Sequence, residues 1–160
     1  MAMARMHRVG AVFYALWALL HVVAGATLVR SALTDVNGHL REIGTAARAA
    51  QVPSLGEHTV VSAIIAFHSF NMAWIGLLVG LIALRHNWRN SRGGYWLNLA
   101  LTGSLDVGLV LFLLVPGYMA WGDGWPGPLL FAGGAIFSTL GLRRARPDVV
   151  YPSGAHAGAR

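Results

Sequence analysis

The chain has 160 residues, 56% hydrophobic and only 11% charged, with a formal charge of +6; soluble domains carry about 25% charged residues. Cysteine is absent, which excludes a disulfide framework, a thiolate metal site, a covalently attached c-type haem and a cysteine nucleophile. Every basic side chain is arginine. The arginines fall between apolar runs and form no single patch, which points to orientation in a bilayer and away from nucleic acid.

Arg5 and Arg8 precede an apolar run from Val9 to Val29. A signal peptide also opens this way, with His21 to Ala26 as a cleavage region, but signal cores span only about 7–15 residues. This run has the length of a full span, about 20 residues. Arg30 to Glu57 is the long polar segment, and its interior predicts a short helix from Asn37 to Gln51, with Asn37 as N-cap and Pro53 closing it. His39, Arg41, Glu42 and Arg48 give that helix a wet side; Leu40, Ile43, Ala47 and Ala50 give it an apolar one. It is expected to lie along the membrane surface or cap the bundle.

The second span, Val60 to Leu84, carries Phe67-His68-Ser69-Phe70-Asn71 in its interior. Gly76 and Gly80 have the spacing that lets two helices approach closely. The basic turn Arg85 to Gly94 returns the chain antiparallel into a third span, Tyr95 to Val115, interrupted by Asp106. Pro116 to Pro128 holds Tyr118, Trp121 and Trp125 among glycines and prolines and reads as an interfacial aromatic loop. A fourth span runs from Trp125 to Leu142 and stops at Arg143-Arg144-Ala145-Arg146, and residues 147–160 have the composition of a disordered tail.

The fold expected is all-α: an integral membrane bundle of four antiparallel transmembrane helices over residues 1–146, with a short surface helix in the first loop. Arg5, Arg8, Arg85, Arg89, Arg92, Arg143, Arg144 and Arg146 flank one side, against Arg30, Arg41 and Arg48 on the other. The bias places both termini in the cytoplasm and the chain in the inner membrane. The expected surroundings are the lipid bilayer, with further membrane-protein subunits or a second copy of the chain as partners, and no nucleic acid.

Polar residues inside such spans must face protein, ligand or water. Measured from the basic side, His21 lies roughly 18 Å deep, Asp106 roughly 17 Å and His68 roughly 24 Å. Three helices thus deliver an ionisable group to a similar height. Gly10, Tyr14, Trp17, His21 and Gly25 share one stripe of the first span, and Tyr95, Asn98, Thr102 and Asp106 one stripe of the third. A carboxylate at a helix centre costs on the order of 3 kcal/mol, so a histidine is the expected partner of Asp106. Tyr14, Asn71, Asn98 and Thr102 would support the layer.

Three functions suit this layer. In the first, the chain is an accessory subunit of a membrane complex, or a bundle binding a small molecule or lipid, and the polar groups hold its helices in register. In the second, His21 and His68 are axial ligands to haem b, or together with Asp106 hold a divalent metal. In the third, the chain is a lipid- or quinone-active enzyme or transporter in which Asp106 and a histidine, His68 or His21, move a proton. The tryptophans read most simply as packing and interface anchors.

The His-containing first span, the Phe-His-Ser-Phe-Asn run followed by Gly76 and Gly80, and the two further spans resemble the plan of small bacterial four-helix membrane proteins of the DoxX-like group. The likeness covers mainly residues 9–115. It implies the fold and carries no catalytic residues to transfer.

Overall fold

A computed structural model of the chain describes residues 5–45, 48 and 59–144. Four long helices carry the architecture: α1 (Met6–Thr34), α3 (Val60–Arg85), α4 (Arg92–Leu109) and α6 (Pro126–Arg144), while the short α2 (Val36–Ile43) and α5 (Trp121–Gly124) lie in the loops. All four long helices are long and apolar enough to cross a membrane, and no strand occurs among the described residues. Their outer faces are lined by large apolar side chains, among them Leu19, Phe67, Leu81, Phe112 and Ile136.

Two seams set the arrangement. Ala11, Ala18, Gly25 and Ala32 on α1, and Ser62, Ser69, Gly76 and Ala83 on α3, are buried and recur at seven-residue intervals. That period keeps one line of small residues on a single partner along a left-handed crossing. The backbones consequently almost touch. A Cβ added to Gly25 would sit 2.7 Å from the Ala73 nitrogen and the Ser69 carbonyl oxygen, and one on Gly76 would sit 3.0 Å from the Ala18 oxygen. Gly80 faces the Ala18 methyl, so both glycines of the expected close-approach pair lie in this seam.

The second seam repeats the device. Gly127, Gly134 and Gly141 of α6 are buried at the same seven-residue spacing, with Ser138 between the last two. A Cβ on Gly134 would meet the Tyr14 ring at 2.8 Å, and one on Gly141 would lie 2.7 Å from His7 Cβ. α4 packs against α3 and α6. It meets the core through long side chains, Leu101 and Leu105, which rest on the cluster of Tyr14, Trp17, Ala18, Val79 and Ala83.

The ends follow from local chemistry. Between α3 and α4 a single 3-10 turn, Asn87–Arg89, leads to Asn90 in the left-handed region at φ 57°. Asparagine tolerates that conformation, and its Nδ2 donates to the Gly141 oxygen at 3.2 Å, tying the turn to α6. Ser91 caps α4 by accepting from the Gly94 amide at 3.4 Å. Arg8 lies 5.5 Å above the Trp88 ring, so the basic start of α1, the basic turn and the basic end of α6 gather at one end of the bundle.

At the opposite end the first and third loops meet. Thr45 Oγ1 donates to the Gly117 oxygen at 2.9 Å, and Arg48 lies 4.7 Å over the Tyr118 ring, which makes this loop a cap on the bundle. α2 starts before the expected Asn37. Asp35 is its N-cap, its carboxylate accepting from the Gly38 amide at 2.9 Å, because that oxygen reaches the third helical residue and leaves Asn37 inside the first turn. The remainder of the expected surface helix at 46, 47 and 49–51, and the tail 147–160, lie outside the described residues.

Candidate ligand-binding site

Helical phase brings two of the three expected groups together. Trp17 of α1 is fully buried, and its Nε1–H donates to Asp106 Oδ2 of α4 at 2.9 Å. One turn further along α1, the His21 ring stacks on the Trp17 indole at 3.5 Å between centroids and 17° between planes. His21 Nδ1 lies 2.9 Å from the Trp17 carbonyl oxygen. A carbonyl only accepts, so Nδ1 carries the hydrogen, and in the neutral ring Nε2 then presents a lone pair. Asp106 Oδ1 is buried and accepts no hydrogen bond among the described residues.

The start of α6 closes the site. A Cβ on Gly127 would lie 2.9 Å from Asp106 Oδ1 and 3.6 Å from His21 Cε1, so carboxylate and imidazole edge flank one point that only glycine leaves open. Pro126 and Pro128 have no amide hydrogen and Leu129 donates to the Trp125 oxygen, leaving Gly127 as the amide of that first turn. The carboxylate thus lies beside the first turn of α6, a position where a negative charge gains about 0.3–1 kcal/mol. That offsets only part of the cost of burial.

Depth agrees between helices. Asp106 lies 14 residues from Arg92 and His21 15 residues from Met6; at ~1.5 Å per residue both stand roughly 21–23 Å from the basic end. Just beyond the site, α4 widens into a π-turn, Val110–Leu114, closed by the Val115 amide on the Val110 oxygen at 2.9 Å. Such single turns recur at functional sites.

His68 does not join them. It is exposed on the outer face of α3, between Phe67 at 69% and Phe70 at 61% exposure, because the buried line Ser62–Ser69–Gly76–Ala83 faces α1 and turns the preceding residue outward. The expected three-membered layer is thus a pair. Asn71 is half-buried, and among the described residues the one hydrogen bond to the Asp106 carboxylate comes from Trp17. No group of three His, Cys, Asp or Glu able to hold a metal occurs among the described residues, so the expected set of His21, His68 and Asp106 is not assembled as a metal site. Axial ligation of haem by His21 and His68 meets the same obstacle.

Of the expected supporting residues, Tyr14, Asn98 and Thr102 are buried and lie toward the basic end. Thr102 Oγ1 donates to the Asn98 oxygen at 2.7 Å, and Asn98 Nδ2 donates to Asn87 Oδ1 at 3.4 Å. Tyr14 Oη, Asn98 Oδ1, Asn87 Nδ2 and Ser138 Oγ are buried without partners among the described residues, so the interior stays polar from Asp106 down to the α3–α4 turn. Two participants escape a reading of charges alone. Trp17 counts as packing until its indole N–H is matched to an acceptor on another helix. Gly127 is signalled by the prolines on either side of it at a helix start.

Comparison with protein-family models, with curated proteins and with solved structures yields no match, so the DoxX-like resemblance rests on the shared plan of four apolar helices alone.

Proposed function

We propose that the chain is a multi-pass membrane protein that binds a small amphiphilic molecule at Asp106 and His21. The observation that carries this reading is a buried carboxylate with one oxygen held by Trp17 and the other without a protein donor. A buried acceptor left unmatched costs about 1–3 kcal/mol. A ligand hydroxyl or amine that donates to Asp106 Oδ1 removes that cost; an amine has a second hydrogen to give to Nε2 of His21, whereas a hydroxyl serves the carboxylate alone. The site is then suited to a hydroxyl- or amine-bearing molecule with an apolar body. The arginines gathered at one end support an orientation with both ends of the bundle in the cytoplasm and the ligand site in the outer half of an inner membrane.

The test is mass spectrometry of small molecules retained by the protein after mild extraction from membranes. A species bound near one per chain in the wild type and lost in Asp106→Leu supports the assignment. Equal retention by both proteins refutes it.

A second reading, an accessory subunit, is favoured by His68. An imidazole on an outer face otherwise lined by Ile64, Phe67 and Phe70 is costly against lipid, and a partner helix would cover it. Because the chain has no cysteine, His68→Cys gives a single-site crosslinking probe. Crosslinking to one defined partner supports this reading, and labelling by lipid-soluble maleimide alone counts against it.

A further inference from the structure

A cleft of about 310 Å³ lies between the start of α4 and the end of α6, lined by Arg92, Tyr95, Trp96, Thr139, Leu142 and Arg143. It is at the basic end, well away from Asp106. Its composition divides by chemistry. Arg92 and Arg143 are exposed, and neither forms an ion pair among the described residues. The acids whose side chains are described, Asp35, Asp106 and Asp123, all belong to the other half of the bundle.

The polar floor is already committed. Thr139 Oγ1 gives its hydrogen to the Ala135 oxygen at 2.7 Å, so Tyr95 Oη is the donor in its 3.0 Å bond to Thr139. Neither hydroxyl keeps a hydrogen for a ligand, and the cationic donors of the cleft are the two guanidinium groups. Trp96 meets the Tyr95 ring edge-on at 5.0 Å and is 63% exposed, the placement of an aromatic anchor at a membrane surface. With Leu142 it gives the cleft an apolar wall on the side of the bilayer.

We infer that this cleft binds the phosphate headgroup of an anionic phospholipid, Arg92 and Arg143 holding the phosphate while Trp96 and Leu142 lie against the glycerol and upper acyl chains. Charge complementarity selects the ligand: guanidinium groups match phosphate oxygens in paired geometry, and basic pockets between membrane helices on the cytoplasmic side take such headgroups. A free phosphate would satisfy the arginines but leave the apolar wall against water. The inference requires the chain to reside in a bilayer and does not require Asp106 to bind anything.

The test is native mass spectrometry of the full-length protein from nanodiscs containing equal phosphatidylglycerol and phosphatidylcholine, with inorganic phosphate added in a parallel sample. Wild type is expected to retain one phosphatidylglycerol in preference to phosphatidylcholine. Taking about fivefold for each arginine that contacts the headgroup, the double variant R92Q/R143Q should lower that retention about 30-fold, while R85Q/R144Q, which removes two arginines outside the cleft, should leave retention of that one lipid largely in place. Trp96→Ala should weaken phosphatidylglycerol retention without altering phosphate. Equal loss in both double variants, no preference between the lipids, or displacement of the lipid by phosphate would each overturn the assignment. Loss of the Asp106 ligand in Asp106→Leu with lipid retention unchanged would separate the two sites.

Discussion

The bond between Trp17 and Asp106 links helices 89 residues apart, and its strength can be isolated by a double-mutant cycle. Trp17→Phe removes the donor and leaves a buried carboxylate with both oxygens unmatched. The lost bond to a charged or partly charged acceptor is worth about 2 kcal/mol, and trimming a fully buried indole to a phenyl ring adds about 1 kcal/mol of lost packing. Trp17→Phe should therefore cost about 3 kcal/mol in total. Asp106→Leu removes a buried carboxylate whose second oxygen is already unmatched but strands the Trp17 indole N–H; the two effects oppose each other and should leave stability within about 1 kcal/mol of wild type. In the Asp106→Leu background, Trp17→Phe should then cost only the packing share, giving a coupling energy of about 2 kcal/mol. The measurement is reversible unfolding in mixed micelles titrated with sodium dodecyl sulfate, followed by far-UV circular dichroism. A coupling below about 0.5 kcal/mol, or an Asp106→Leu variant as unstable as Trp17→Phe, would refute the claim that the carboxylate depends on the indole.

Four further outcomes follow from the packing, each read in the same unfolding assay unless stated. Gly25→Val drives a branched side chain into the backbone of Ser69 and Ala73 and should cost about 3 kcal/mol, whereas Gly108→Ala, with nothing within 4 Å, should gain about 0.5–1 kcal/mol from helix propensity. Gly127→Ala puts a methyl 2.9 Å from Asp106 Oδ1 and should cost about 1–3 kcal/mol while reducing ligand retention by mass spectrometry; unchanged retention would detach Gly127 from the site. Asn90→Ala should be about 1 kcal/mol less stable than Asn90→Gly, since both lose the bond to Gly141 but only alanine resists the left-handed backbone. His68→Leu should leave both fold and ligand retention intact, and loss of either would return His68 to the interior.

The phase of α1 and α4 was legible because their polar residues are few and spaced by three and four. Gly10, Tyr14, Trp17 and Gly25 are buried with His21 beside them, and Asn98, Thr102 and Asp106 are buried on the facing helix. In α3 polarity points to the wrong face. His68 and Asn71 carry the strongest polarity, but apolar surroundings on every side of α3 leave polarity a poor guide to phase, and packing decided it. The guide was present as Ser62, Ser69, Gly76 and Ala83, a line of small residues at seven-residue intervals that close backbone contact demands. α1 outran its expected limits because Arg30 and Ser31 prolong it without breaking its hydrogen bonds, and a helix ends where a cap competes, here at Asp35. The indole-to-carboxylate bond was out of reach, since it requires knowing which turn of α1 stands beside which turn of α4.

The cover over Asp106 comes from a segment made later than the carboxylate itself. α4 and its acid precede Gly127 and the glycine seam of α6 in the chain, so they are translated before the residues that lie against α1 and close the site. Until they arrive, a half-built bundle carries a polar group open to its surroundings that the completed one conceals. One side chain thus distinguishes an unfinished chain from a finished one, and the small residues of α6 are what bring that interval to a close.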